Sequence, residues 1–216
     1  MKKIIVNAPG RKPIRHEGFE VLTNPSTRSH PWMRCCEGIE IATGLAMGAG
    51  ESLMVLEDDV MLAPDFESKL NSADLCGVKQ SPEPVVYIFY VPATIGVPVK
   101  ESPYRYPPDL CPWGTQAMYY NAPAVAVAHH VCRAYLACHV ASQVNDYRSD
   151  TRGEGPGVYD GYDVVLYQTL FRLNIKPWYF AGVQHMCKKT TCLSARHTSP
   201  FFPPPEKIKQ GRDGWH

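Results

Sequence analysis

The chain has 216 residues, 44% of them hydrophobic and 20% charged, with a formal net charge of +1. These proportions exclude a disordered polyampholyte and a membrane-embedded chain, and the length fits one hydrophobic core. The near-neutral balance hides an asymmetry: from Leu170 to His216 eight basic residues face only Glu206 and Asp213, a segment suited to a diphosphate or a nucleic-acid backbone, or equally to a solvated tail.

Lys3 to Val6 reads as a first buried strand. Its apolar run stops at Asn7-Ala8-Pro9-Gly10-Arg11, too soon for a signal-peptide core or a membrane span. Phe19 to Leu22 reads as a short second strand. From Trp32 to Met47, the positions Met33, Cys36, Ile39 and Leu45 suit a helix, closed by Gly48-Ala49-Gly50. Ser52 to Leu56 is a continuous apolar strand that runs straight into Glu57-Asp58-Asp59. Pro64 and Asp65 open a helix across Phe66 and Leu70, with Asp65 placing negative charge in the first turn.

Val85 to Val91 and Gln116 to Tyr120 are two further strands. Between them Pro92 to Gly114 shows no regular pattern, and a loop of that length inside a domain usually carries function. Pro123 opens a helix running to Val144, with His129, His130 and His139 on or near it; His129 and His130 read as structural. Asn145 to Val158 reads as a flexible connection, and Asp163 as the N-cap of a helix from Val164 to Leu173. Trp178 to Val183 is the last strand.

Strands alternating with helices predict an α/β fold. A single domain over 1–199 carries a mixed, mostly parallel sheet with helices on both faces, and a Pro-rich basic tail follows over 200–216. The eight cysteines form no C-x-x-C pair and are expected as reduced thiols.

Three adjacent carboxylates at the carboxyl end of a buried strand lie where open α/β sheets bind ligands. They repel one another unless a cation or hydrogen-bond donors offset the charge. A hard divalent cation such as Mg²⁺ or Mn²⁺, bound together with phosphate oxygens, provides that offset; a solvated acidic turn is the plain alternative.

Val55-Leu56-Glu57-Asp58-Asp59-Val60, followed by Leu62-Ala63-Pro64-Asp65-Phe66, resembles the signature of nucleotide-sugar glycosyltransferases of the GT-A fold, in particular the group that includes the lipooligosaccharide β-galactosyltransferases. Ser29-His30, Gly114-Thr115-Gln116-Ala117-Met118-Tyr119, Tyr159-Asp160-Gly161-Tyr162-Asp163 and Gln184-His185 with Ser194 resemble further segments of that group, in its order. The resemblance implies a GT-A-like, Rossmann-like domain.

It also implies roles. Asp59 ligates the metal, Glu57 and Asp58 orient the ribose or a metal-bound water, and His185 completes the coordination. Lys188 and Lys189 close over the diphosphate, or are solvated lysines. Gly114, Thr115 and Gln116 line the cleft between donor and acceptor. Asn7, Pro9 and Arg11 flank base and ribose, although Arg11 and Arg15 also read as plain surface charge. Asp163 or Asp160 supplies the base of an inverting transfer. Trp32, Trp113 and Trp178 stack on sugar or base, or belong to the core.

The implied activity is metal-dependent transfer from a nucleotide sugar, expected to be a UDP-sugar, to an acceptor hydroxyl. The acceptor is expected to be a saccharide or a hydroxymethylated base in phage-type DNA. The competing readings are a metal-dependent phosphoesterase or nucleotidyltransferase, and a noncatalytic binding module for carbohydrate or nucleic acid. The expected location is cytoplasmic, that of the host if the chain is phage-encoded.

Overall fold

The structure is a computed structural model, and it describes residues 1–26, 31–71, 80–89, 104–105, 115–140, 162–175, 177–179 and 183–185. Its strands are β1 (Lys2–Asn7), β2 (Glu20–Thr23), β3 (Leu53–Glu57), β4 (Val60–Leu62), β5 (Val86–Ile88), β6 (Tyr104–Arg105), β7 (Ala117–Tyr120), β8 (Trp178–Tyr179) and β9 (Val183–His185). Its helices are α1 (Pro31–Ala49), α2 (Phe66–Leu70), α3 (Ala122–Val140) and α4 (Tyr162–Arg172).

Among the described residues seven strands form the main sheet in the order β2-β1-β3-β7-β5-β8-β6, and β4 pairs with β9 in a second, two-stranded sheet. In the main sheet β2, β1, β3, β5 and β8 run one way while β7 and β6 run the other. The expected mixed, mostly parallel sheet is therefore present.

Strand residues alternate between two cores, as the two-residue period of a strand requires. Ile4, Val6, Leu53, Val55, Val86, Ile88, Met118 and Tyr120 pack beneath α1, α3 and α4. Ile5, Met54, Leu56, Tyr87, Ala117 and Tyr119 face the other way, against β4, α2 and Val183 of β9. Helices thus lie on both faces, the three long ones together on one of them. Burial on both faces explains why the strands read as unbroken apolar runs.

Helix α1 buries Met33, Cys36, Ile39, Ala42 and Ala46 along one stripe, whereas Leu45 is 48% exposed on its outer side. Alanine along the stripe leaves room for α3 to pack closely. The helix ends in a Schellman motif: Gly50 adopts φ 66°, Gly50 N–H donates to Met47 O and Glu51 N–H to Ala46 O. Helix α4 ends in the same way with Asn174 at φ 57°, Asn174 N–H donating to Phe171 O and Ile175 N–H to Leu170 O.

Several boundaries differ from the sequence expectation. The segment after the acids, Val60–Leu62, is a strand because its three buried side chains have a partner in β9. The expected last strand is two, β8 and β9, which belong to different sheets. Strand β6 lies inside the stretch expected to lack structure and is held by β8. Helix α4 begins at Tyr162, so Asp163 sits within its first turn rather than at the N-cap. The expected tail over 200–216 and the connection over 145–158 lie outside the described residues.

Asn121 is the unforeseen keystone of the α3 entry. Fully buried, it accepts Val85 N–H at 2.8 Å and Ala124 N–H at 3.1 Å through Oδ1, and donates through Nδ2 to Ser81 O at 3.0 Å and Glu83 O at 2.7 Å. It caps the helix and fastens the approach to β5 at once. Asn121→Ala removes a cap and strands buried backbone groups, so it should destabilise the protein by about 2–4 kcal/mol. Urea unfolding followed by circular dichroism measures this, and a loss below ~1 kcal/mol would contradict the assignment.

Candidate active site at the carboxyl edge of the sheet

Strands β1 and β3 run parallel, with Val6 opposite Glu57, so their carboxyl ends emerge side by side. After β1 the chain turns sharply through Ala8-Pro9-Gly10-Arg11. Arg11 N–H donates to Ala8 O at 3.2 Å, and Gly10 takes φ 74°, the left-handed conformation this turn demands of its third residue. Asn7 Nδ2 donates to Arg11 O at 3.1 Å, bracing the turn from below.

The turn is fastened to the acids. Ala8 N–H donates to Asp58 Oδ2 at 2.8 Å, and Ile14 N–H to Asp58 O at 2.8 Å. Arg11 is folded back over the same group: Nη1 lies 2.9 Å from Asp58 Oδ1 and Nη2 lies 2.8 Å from Asp59 Oδ2. One guanidinium thus bridges two consecutive carboxylates, a use for which its planar fork is suited. The side chain of Asp58 is 3% exposed and that of Asp59 10%, while Arg11 is 34% exposed. Burial opposes the charge on Arg11, but its hydrogen bond to Asp59 and the attraction of Asp59, Asp58 and Glu57 together raise its pKa above the ordinary value. The offset that the acidic turn requires is supplied, in this structure, from within the chain.

Glu57 points to the opposite face, toward the long helices. Thr115 Oγ1 donates to Glu57 Oε1 at 3.1 Å, and Cys35 Sγ lies 3.7 Å from that same oxygen and 3.7 Å from Thr115 Oγ1. Glu57 N–H donates to Gln116 O at 2.8 Å. Desolvation raises the Cys35 thiol pKa well above its usual range, helped by the charges of Glu57 and, less strongly, Asp163, with the Thr115 hydrogen bond acting in the other direction. Asp163, half-buried in the first turn of α4, is thus within electrostatic reach of the Glu57 side of the edge.

The sequence-predicted residues therefore converge in part. Asn7, Arg11, Glu57, Asp58, Asp59, Thr115 and Gln116 share one edge of the sheet. Pro9 is exposed on the turn. His185 belongs to β9, whose backbone register sets it opposite Val60, the residue following Asp59. Gly114, Asp160, Lys188 and Lys189, together with Trp113 and Ser29-His30, lie outside the described residues. Trp178 stacks on Tyr87, with centroids 6.1 Å apart and 20° between planes, and packs against the core rather than lining the site. His129 sits between α1 and α3, its Nδ1 3.2 Å from Thr43 Oγ1, in keeping with a structural role.

Sequence reasoning missed Cys35, since a lone thiol on a helix carries no spacing signal. It also missed His16, whose Nε2 lies 2.8 Å from Val60 O.

Two donor-set observations bear on a cation. Asp58 and Asp59 offer the hard oxygen ligands that Mg²⁺ and Mn²⁺ prefer. Asn7 Oδ1 and Gln116 Oε1 are buried and have no hydrogen-bond partner among the described residues, an arrangement that costs free energy unless a ligand satisfies it. Among the described residues no group of three or more His, Cys, Asp and Glu side chains forms a ready-made cage.

No protein-family model matches the sequence, and no curated protein does. Among the solved structures of similar shape is one described as a glycosyltransferase involved in the glycosylation of the major capsid of PBCV-1. It has 12% sequence identity and a TM-score of 0.51, and the match covers 88% of this chain and 95% of that one. The fold of this chain is thus glycosyltransferase-like.

A thiol held protonated reacts slowly, because the thiolate is the nucleophile. Cys35 in the native protein at pH 8 should be alkylated by iodoacetamide on the order of tenfold more slowly than in urea, and Glu57→Gln should speed it several-fold. Peptide mapping by mass spectrometry reads both rates; equal rates in folded and unfolded protein would contradict this environment.

Proposed function

We propose that this chain is a metal-dependent glycosyltransferase that moves a sugar from a nucleotide-sugar donor, a UDP-sugar, to an acceptor hydroxyl. The observation that carries this reading is the buried Asp58–Asp59 pair at the carboxyl edge of a glycosyltransferase-like sheet. Its resemblance to the acidic motif of the lipooligosaccharide β-galactosyltransferase group adds support. Ligands of such sheets bind beyond the carboxyl ends of the strands, where Asn7, Arg11, Glu57, Thr115 and Gln116 also gather.

Asp59, with Asp58 beside it and His185 from β9, would hold Mn²⁺ or Mg²⁺. When bound, the cation neutralises charge developing on the departing diphosphate. The chain's own residues do the remaining work. Asn7 and Gln116 offer buried amide oxygens to the donor's hydroxyls or to metal-bound water. Thr115 fixes the Glu57 carboxylate, Gly114, with no side chain, would allow close backbone approach to the donor, and Pro9 would flank the base and ribose. Lys188 and Lys189 meet the diphosphate as point charges. Asp163, or Asp160 just before α4, takes the proton from the attacking hydroxyl on the face opposite the leaving group, as an inverting transfer requires.

The acceptor hydroxyl belongs to a saccharide or to a hydroxymethylated base. The capsid-glycosylation role of the similar structure favours the first, and the basic composition after Leu170 favours the second. No helix among the described residues is long and apolar enough to cross a membrane.

Purified protein with Mn²⁺ should convert a UDP-sugar to UDP, and mass spectrometry of oligosaccharide and hydroxymethylcytosine-DNA acceptors should find the transferred hexose on one of them. Asp59→Asn should lower kcat/KM by about 10²–10³, the scale of losing a charge stabiliser in the transition state. Asp163→Asn should lower kcat by about 10²–10⁴ with little change in donor binding. Full turnover by Asp59→Asn would refute the reading, and release of inorganic phosphate would favour a phosphoesterase.

A further inference from the structure

The geometry points to Arg11 as a resident counter-ion that a divalent cation must displace from the carboxylate pair; this rests on the reading above, in which Asp59 holds the metal. Arg11 Nη2 occupies Asp59 Oδ2 at 2.8 Å and Nη1 occupies Asp58 Oδ1 at 2.9 Å. Asp58 Oδ2 is taken by Ala8 N–H. A Mg²⁺ or Mn²⁺ ion seated on these oxygens approaches to about 2.0–2.2 Å. The guanidinium and the ion would then be like charges within a few ångströms of each other, in a site where the carboxylates are almost wholly withdrawn from water. Repulsion at that distance is large at reduced dielectric, so the two are alternative occupants.

The mechanical asymmetry decides which one moves. The carboxylates stand at the end of β3, paired on one side with β1 and on the other with β7. Arg11 rides on an exposed Pro9-Gly10 turn and is itself one-third exposed, so its side chain swings out toward solvent without disturbing the sheet. Arg11 brings one positive charge to the two carboxylates it bridges, so this latch does not by itself neutralise the pair. Arg11 therefore protects the fold while the site is empty and sets a threshold for metal entry.

The test needs neither donor nor acceptor. Mn²⁺ is titrated into the full chain, and free Mn²⁺ is read by its electron paramagnetic resonance signal. Arg11→Met should bind Mn²⁺ about tenfold tighter or more than the parent protein, since a competing charge is gone. Arg11→Lys, which keeps the charge but cannot bridge both carboxylates, should fall between them, and it remains informative if Arg11→Met fails to fold. Without metal, Arg11→Met should melt below the parent protein, and saturating Mn²⁺ should close that gap. Parent-like or weaker Mn²⁺ binding by both Arg11 variants, with binding lost in Asp59→Asn, would overturn the latch and leave the metal site standing. Unchanged Mn²⁺ binding in Asp59→Asn would overturn the metal reading itself.

Discussion

Two neighbouring carboxylates drawn out of water at the end of a buried strand each cost several kcal/mol unless charge and hydrogen bonds are returned to them, and the carboxyl edge of this sheet is arranged around that requirement. Arg11 returns the charge, while Ala8 N–H returns a hydrogen bond to the Asp58 side chain. Because Arg11 belongs to the connection after β1 and the acids to the connection after β3, the ion pair ties the two loops together, alongside the Ala8 and Ile14 hydrogen bonds to Asp58 and the His16 contact with Val60 O. The left-handed Gly10, the brace from Asn7 and the Ile14 bond to Asp58 O each serve to hold that guanidinium in place.

The two faces of the sheet divide the labour. One is packed by α1, α3 and α4 into a continuous apolar layer, which gives the acidic edge a rigid base. The other is covered by short elements, β4, α2 and β9, that begin directly after the acids or return to them. Alternation along β3 then sends Glu57 toward the helices and Asp58 away from them. A run of three acids is therefore split between two settings: Glu57 is held by Thr115 beside Cys35, and Asp58 and Asp59 face the Arg11 guanidinium.

Much of this was legible because strands buried on both faces leave continuous apolar runs, and because the acids terminate one of them. The strands β1, β3, β5 and β7 and the helices α1 and α3 declare themselves in that way. What escaped was set by partners distant in sequence. Val60–Leu62 is too short to announce a strand and becomes one only beside β9, and Trp178 to Val183 looks like one strand because nothing local shows that its halves join different sheets. Asn121 is an asparagine before a proline-containing helix start, and three of its four side-chain hydrogen bonds depend on where β5 and its approach arrive. The pairing of Arg11 with Asp58 and Asp59 could not be read from a turn that looks like an ordinary Pro-Gly surface loop.

The pairing of β4 with β9 has a consequence for how the molecule comes into being. Val60 and His185 stand far apart along the chain yet meet as cross-strand neighbours. The distance is bridged elsewhere: β8, which ends at Tyr179, is paired with β5 in the main sheet, and β9 starts at Val183, while β4 starts three positions after the end of β3. Once β8 is docked, the loops left to close are short, and closing a short loop costs little entropy. The ribbon beside Asp59 therefore inherits its long-range pairing from the docking of β8, which couples the small sheet to the large one.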